Sequence, residues 1–132
     1  MKHSLLLAAA MAAIPLGACA TYANGPIVDG GSVRQDGLAM LGQPTRVGRL
    51  VVTPLRIVED SRCPINARCV WAGRAIVSTR IDGAGWRETT SMELGRPYIT
   101  HGLGIQLSSV EPGKMAGTQT PSSAYLFGYQ GG

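Results

Sequence analysis

The chain has 132 residues, is 45% hydrophobic and 15% charged, holds 18 Gly and 8 Pro, and carries a formal charge of +4 at pH 7. That length allows one domain plus a leader, and the composition excludes a disordered chain while its Gly and Pro punctuation disfavours long helices. The arginines from Arg34 to Arg96 stand singly, with no basic run and little aromatic interleaving, so nucleic acid is not expected as a partner.

Met1-Lys2-His3-Ser4 is a short positive segment, and Leu5 to Leu16 is apolar. A dozen apolar residues fall well short of the ~20 that span a bilayer as a helix, so residues 1–18 read as an export leader. Leu16-Gly17-Ala18-Cys19 then resembles the lipobox of bacterial lipoproteins. The resemblance implies lipid attachment at Cys19 and cleavage before it, and Ala20 in the following position implies sorting to the outer membrane. Two or three acyl chains would hold the protein there, facing the periplasm. Ala18-Cys19-Ala20 also fits ordinary signal cleavage, which would release a soluble periplasmic or secreted binder instead. Residues 19–31 are rich in Gly, Asn and Pro and read as a flexible tether.

Residues 32–132 read as a β domain. Ser32–Gln35 and Leu38–Leu41 are strand candidates around Asp36-Gly37, which predicts a hairpin tip if the two pair. Thr45–Val47 and Leu50–Val58 follow, the second rich in β-branched residues, with Pro54 predicting an edge position or a bulge.

Val58 to Gly73 is dense in turn-forming residues and holds Cys63 and Cys69, the only cysteines beyond Cys19. An even pair in an oxidising compartment predicts a disulfide. A ring this small restricts the unfolded chain by roughly 2–2.5 kcal/mol. The spacing is not the Cys-x-x-Cys of a thiol oxidoreductase. A metal site would need His101, the only histidine beyond the leader, together with Asp60 or the cysteines. No metal or other cofactor is expected, and a small metal-binding protein or enzyme centred on His101 is the alternative reading. Asp60-Ser61-Arg62-Cys63-Pro64, then Cys69-Val70-Trp71-Ala72-Gly73, resembles a motif of small bacterial secreted proteins and lipoproteins. The resemblance implies a small β domain and brings no activity with it. In physical terms Asp60 and Arg62 are expected to pair at this corner with Trp71 over the disulfide. The competing reading is a binding patch of Arg62, Arg68 and Trp71.

Ala75–Ile81 alternates, with Val77, Thr79 and Ile81 on one face. Trp86–Leu94 returns after the Gly-rich turn Asp82–Gly85, with Glu88 on its otherwise apolar face. This is the strongest hairpin signal in the chain. Arg96–Ile99 and Ile105–Glu111 make two more strands, the second with Ile105, Leu107 and Ser109 predicted on one face. Lys114–Ser123 reads as a surface loop. Tyr125, Phe127 and Tyr129 share a face of the last strand, where an aromatic stripe reads as core.

The expectation is an all-β domain, a small antiparallel β-sandwich or barrel of seven to nine strands with one short-loop disulfide. No nucleophile elbow, carboxylate pair or phosphate-binding glycine loop is legible, and no catalytic residue is assigned. The expected role is therefore a membrane-anchored, non-enzymatic module that binds an envelope protein, peptidoglycan or a lipid headgroup, or supports the envelope.

Overall fold

A computed structural model describes residues 32–132, so the leader, Cys19 and the tether lie outside the described residues. Eight strands are present among them: β1 (Leu38–Ala39), β2 (Thr45–Val47), β3 (Leu50–Asp60), β4 (Ala75–Gly83), β5 (Trp86–Glu93), β6 (Pro97–Thr100), β7 (Leu103–Glu111) and β8 (Leu126–Gly131). They form two four-stranded antiparallel sheets, β2-β3-β4-β5 and β1-β8-β7-β6. The fold is all-β, as the alternation and the frequent turn signals predict.

The two sheets bury a common core. Leu50, Val52, Val77, Ile81 and Met92 come from one sheet, and Ile105, Leu107, Val110, Phe127 and Tyr129 from the other. Each fully buried aliphatic or aromatic side chain contributes about 1.5–3 kcal/mol relative to exposure. The predicted stripe of Tyr125, Phe127 and Tyr129 lies in this core. Tyr129 reaches across the sandwich, its hydroxyl 2.9 Å from the Thr79 hydroxyl. Burial raises its pKa well above the ordinary phenol value.

The β4–β5 hairpin pairs in unbroken register from Gly83↔Trp86 to Ile76↔Glu93. Val77, Thr79 and Ile81 face the core as their alternation requires. Glu88 lies opposite Ile81, and its Oε1 is buried without a hydrogen-bond partner among the described residues. Pro54 sits at a register shift of β3, between Pro54 and Arg56. The proline thus marks a bulge, but β3 is interior, flanked by β2 and β4.

Two expectations fail. Leu38–Ala39 pairs with β8 and not with residues 32–35; Arg34 instead bridges Thr45 in parallel. Asp36-Gly37 is therefore no hairpin tip. The Asp36 carboxylate accepts hydrogen bonds from Arg34 and the Leu38 amide, and these hold its pKa down to about 2. That local turn sends the chain from one sheet to the other. In β7 a bulge between Leu107 and Ser109 reverses the alternation, so Val110 and not Ser109 enters the core.

The disulfide corner as candidate functional site

The corner begins where β3 ends and returns where β4 begins, with Asp60 opposite Ala75. Cys63 and Cys69 are bonded, their Cα atoms 5.8 Å apart. The two arms continue side by side beyond the strands: the Ser61 amide donates to the Arg74 carbonyl, and the Cys63 amide donates to the Ala72 carbonyl. Gly73 closes this ladder. Its φ of 68° and a virtual Cβ 1.7 Å from the Ser61 carbonyl oxygen leave room for hydrogen only. The glycine of the Cys-x-Trp-x-Gly motif therefore has a steric cause.

The Asp60 side chain is the hub. Arg62 grips its carboxylate in fork geometry at 2.8 and 3.0 Å, and the Tyr125 hydroxyl donates to Oδ2 at 2.7 Å. The same guanidinium donates to the Val110 and Pro112 carbonyls at 2.6 and 3.0 Å, fastening the corner to the end of β7. Lys114 Nζ donates to the Asp60 carbonyl at 2.6 Å. Ile65 N–H bonds the Lys114 carbonyl, and Asn66 Oδ1 accepts from the Ala116 amide. The disulfide loop and the 112–118 loop thus form one cross-braced unit.

Burial by itself pushes the Asp60 carboxyl up, but hydrogen bonds from Arg62 and Tyr125 and the nearby guanidinium charge outweigh it and leave the pKa below the ordinary value. Tyr125 is raised by burial first and by its bond to Asp60 second. Asp60 therefore stays ionised at neutral pH with its oxygens engaged. It serves as an anchor for donors, poorly suited to shuttle a proton.

Beside this hub opens a cavity of about 500 Å³, lined by Asp60, Lys114, Thr118, Gln119, Thr120 and Tyr125 among others. A smaller, more apolar one of about 200 Å³ shares Thr118–Thr120 and continues to Pro112, Met115, Pro121 and Ala124. Lys114 has two ammonium hydrogens beyond the one spent on Asp60.

The expected pairing of Asp60 with Arg62 is present. Trp71 is 82% exposed, and its neighbours Val70 and Ile65 are 92% and 74% exposed. The indole is thus not buried against the disulfide, as its place in the motif had suggested. The Arg62 side chain is mostly buried and committed to Asp60, whereas Arg68 is exposed on the loop with Trp71. The predicted patch of Arg62, Arg68 and Trp71 is therefore divided between a brace and a displayed surface. Lys114 and Tyr125 escaped sequence reasoning because their contacts with Asp60 span 54 and 65 residues of chain. Ile65 and Val70 left a weak trace, as apolar residues inside a turn-forming run without alternation.

His101 lies in the turn between β6 and β7, with φ 48°. Its ring stacks on Trp86 at 3.7 Å between centroids, and Thr100 Oγ1 is 2.9 Å from Nδ1. The nine residues of β7 separate this turn from the corner, about 30 Å. His101 is not brought to Asp60, and the cysteines are bonded to each other. Among the described residues no group of three His, Cys, Asp or Glu side chains is placed to hold a metal ion. No protein-family model, curated protein or solved structure matches the chain.

Proposed function

We propose that this protein is a lipid-anchored module of the outer membrane, facing the periplasm, which works by binding through its disulfide corner and not by catalysis. The anchor rests on Leu16-Gly17-Ala18-Cys19 behind an apolar leader. The binding role rests on one observation above the others: Trp71, Val70 and Ile65 remain exposed on a loop that a disulfide and the Arg62 fork hold rigid. A rigid exposed aromatic gives contact area at low entropic cost, which is the usual make-up of an interface anchor. The adjoining cavity adds Lys114 and the Thr118–Thr120 polar groups as hydrogen-bonding partners for a protein or a peptidoglycan fragment.

Intact mass of the mature protein from membrane and soluble fractions, with and without reductant, tests the anchor. The expected species is membrane-bound, begins at Cys19, carries acyl mass and gains two hydrogens on reduction. A soluble species beginning at Thr21 would replace the anchor with a diffusible binder. The corner is tested separately, by position-specific crosslinking in cells.

A further inference from the structure

We infer that the open edge of β5 is where a second copy of this chain adds, antiparallel, to make one sheet continuous across a dimer. Among the described residues the edge strands of the sandwich are β1, β2, β5 and β6. The other three are poor templates. β1 has 2 residues, β2 has 3 and is met by the Arg34 bridge at Thr45, and β6 has 4 and opens on Pro97. β5 has 8 residues, no proline, and unbroken register with β4. Such an edge is one that sandwiches ordinarily blunt, because its outward N–H and C=O groups accept another strand.

The Leu94 amide donates to the Ala75 carbonyl, so the even-numbered residues of β5 bond towards β4. By alternation the backbone groups of Thr89 and Ser91 point to the open side, where no partner strand is present among the described residues. The chemistry of this strand is close to palindromic about Thr90. Antiparallel pairing centred there sets Thr89 opposite Ser91, Arg87 opposite Glu93 and Trp86 opposite Leu94. Thr89 and Ser91 then exchange both backbone bonds, and Thr90 meets its own counterpart on the dyad as a close, non-hydrogen-bonded pair. Facing hydroxyls and opposite charges are favourable cross-strand pairs, and the two-fold axis repeats each of them. The Arg87 guanidinium also holds Asp82, which leaves it in place on the outer face.

Glu88 selects a second copy as the occupant. It lies opposite the core residue Ile81, and its buried Oε1 has no partner among the described residues. An inward charge on an edge ordinarily discourages a passing strand. In the register centred on Thr90, however, the diagonal neighbour of Glu88 is Thr90 of the second copy, whose hydroxyl is a donor. A strand with no donor at that place leaves the carboxylate oxygen unpaired. Two strands of this length bury well under the ~1,600 Å² of a standard interface, so the dimer is a weak one. The corner adjoins the Glu93 end of β5, through Asp60 opposite Ala75 and Ile76 opposite Glu93. Antiparallel pairing therefore puts the two corners at opposite ends of the joined sheet. The dimer goes beyond the binding role proposed for the corner and does not depend on it.

The test uses the chain from Ala20 onward, prepared without lipid and with its disulfide intact, in sedimentation equilibrium up to about 1 mM protein. The mass should rise from monomer towards dimer with concentration. Ser91→Pro removes an N–H on the open side only and should abolish that rise. Thr89→Lys combined with Ser91→Lys sets like charges opposite each other and should weaken association about ten-fold. A near-ultraviolet spectrum matching wild type verifies folding, and if Ser91→Pro misfolds, the double variant decides. Mild oxidation reads the register. Thr90→Cys should link across the dyad, where facing Cα atoms lie ~4.5 Å apart. Thr89→Cys is more exposed, but about 8 Å separates it from its counterpart, and it should stay unlinked. Trp71→Ala should leave the dimer unchanged. The inference fails if the chain is monomeric at every concentration, if neither edge variant weakens association, or if Thr89→Cys links as readily as Thr90→Cys. It also fails if Trp71→Ala abolishes the dimer, which would move the contact to the corner.

Discussion

The two tryptophans of the chain sit at opposite ends of the sandwich and meet opposite fates. Trp86 opens β5, lies over Gly83 closely enough that a Cβ there would meet its indole at 2.1 Å, and stacks on His101. Trp71 stands 82% exposed on the disulfide loop. One indole is used to hold a hairpin tip against a neighbouring turn; the other is left in solvent on a braced support. Burial accounts for Trp86. Burial does not account for Trp71, and its exposure is what supports the recognition role proposed for the corner.

The contrast makes ordered demands on stability. The largest loss is expected from Arg62→Ala, which leaves the Asp60 carboxylate with Tyr125 as its only side-chain donor among the described residues and frees the Val110 and Pro112 carbonyls. Both members of the pair are mostly buried, so urea denaturation should register a loss of about 2–4 kcal/mol. Replacing Cys63 and Cys69 by serine should lower stability by about 2 kcal/mol on the same curves. Trp86→Ala, at a half-buried site, should cost about 1–2 kcal/mol. Trp71→Ala should stay within about 0.5 kcal/mol of wild type while abolishing capture of the corner's partner. A Trp71 variant as destabilised as the Trp86 variant would erase the distinction between the two ends.

Acid provides a further separation. The folded pKa of Asp60 lies below that of the unfolded chain, so its contribution is fully present above the unfolded value of ~4. It is lost as pH falls through the lower folded value. Thermal midpoints should therefore decline below about pH 4, and the Asp60 part of that decline should be missing in Asp60→Asn. An identical acid slope in that variant would remove Asp60 from its place at the hub.

How much of this was legible in the sequence followed from how local each cause is. The β4–β5 hairpin was readable because its signal is an alternation around a Gly-rich turn, and nothing distant interferes with it. Ser109 was misplaced because one bulged residue in β7 inverts every side chain after it, and no residue type marks the bulge. Leu38 was assigned to a local hairpin because Asp36-Gly37 is a turn signal, but a signal for turning does not name the strand that will be met. At the corner, the cysteines and the Asp60–Arg62 pair stood within a few residues of one another and were read together. Lys114, Tyr125 and the carbonyls that receive Arg62 come from chain some fifty residues away or more. The arginines of the β2-β3-β4-β5 sheet are the extreme case. Each arginine alone looks like a solvated strand residue, and only the register of four strands places Arg46, Arg56, Arg80 and Arg87 together.

The most direct test of the corner as a recognition site is photocrosslinking in living cells. A photoreactive amino acid is placed at position 71 and, for comparison, at position 99, where Ile99 is also exposed but lies on β6 away from the corner. The account predicts a discrete, reproducible adduct from position 71, absent from position 99 and lost when Arg62→Ala loosens the support. Equal labelling from both positions, or no adduct from position 71, would contradict it.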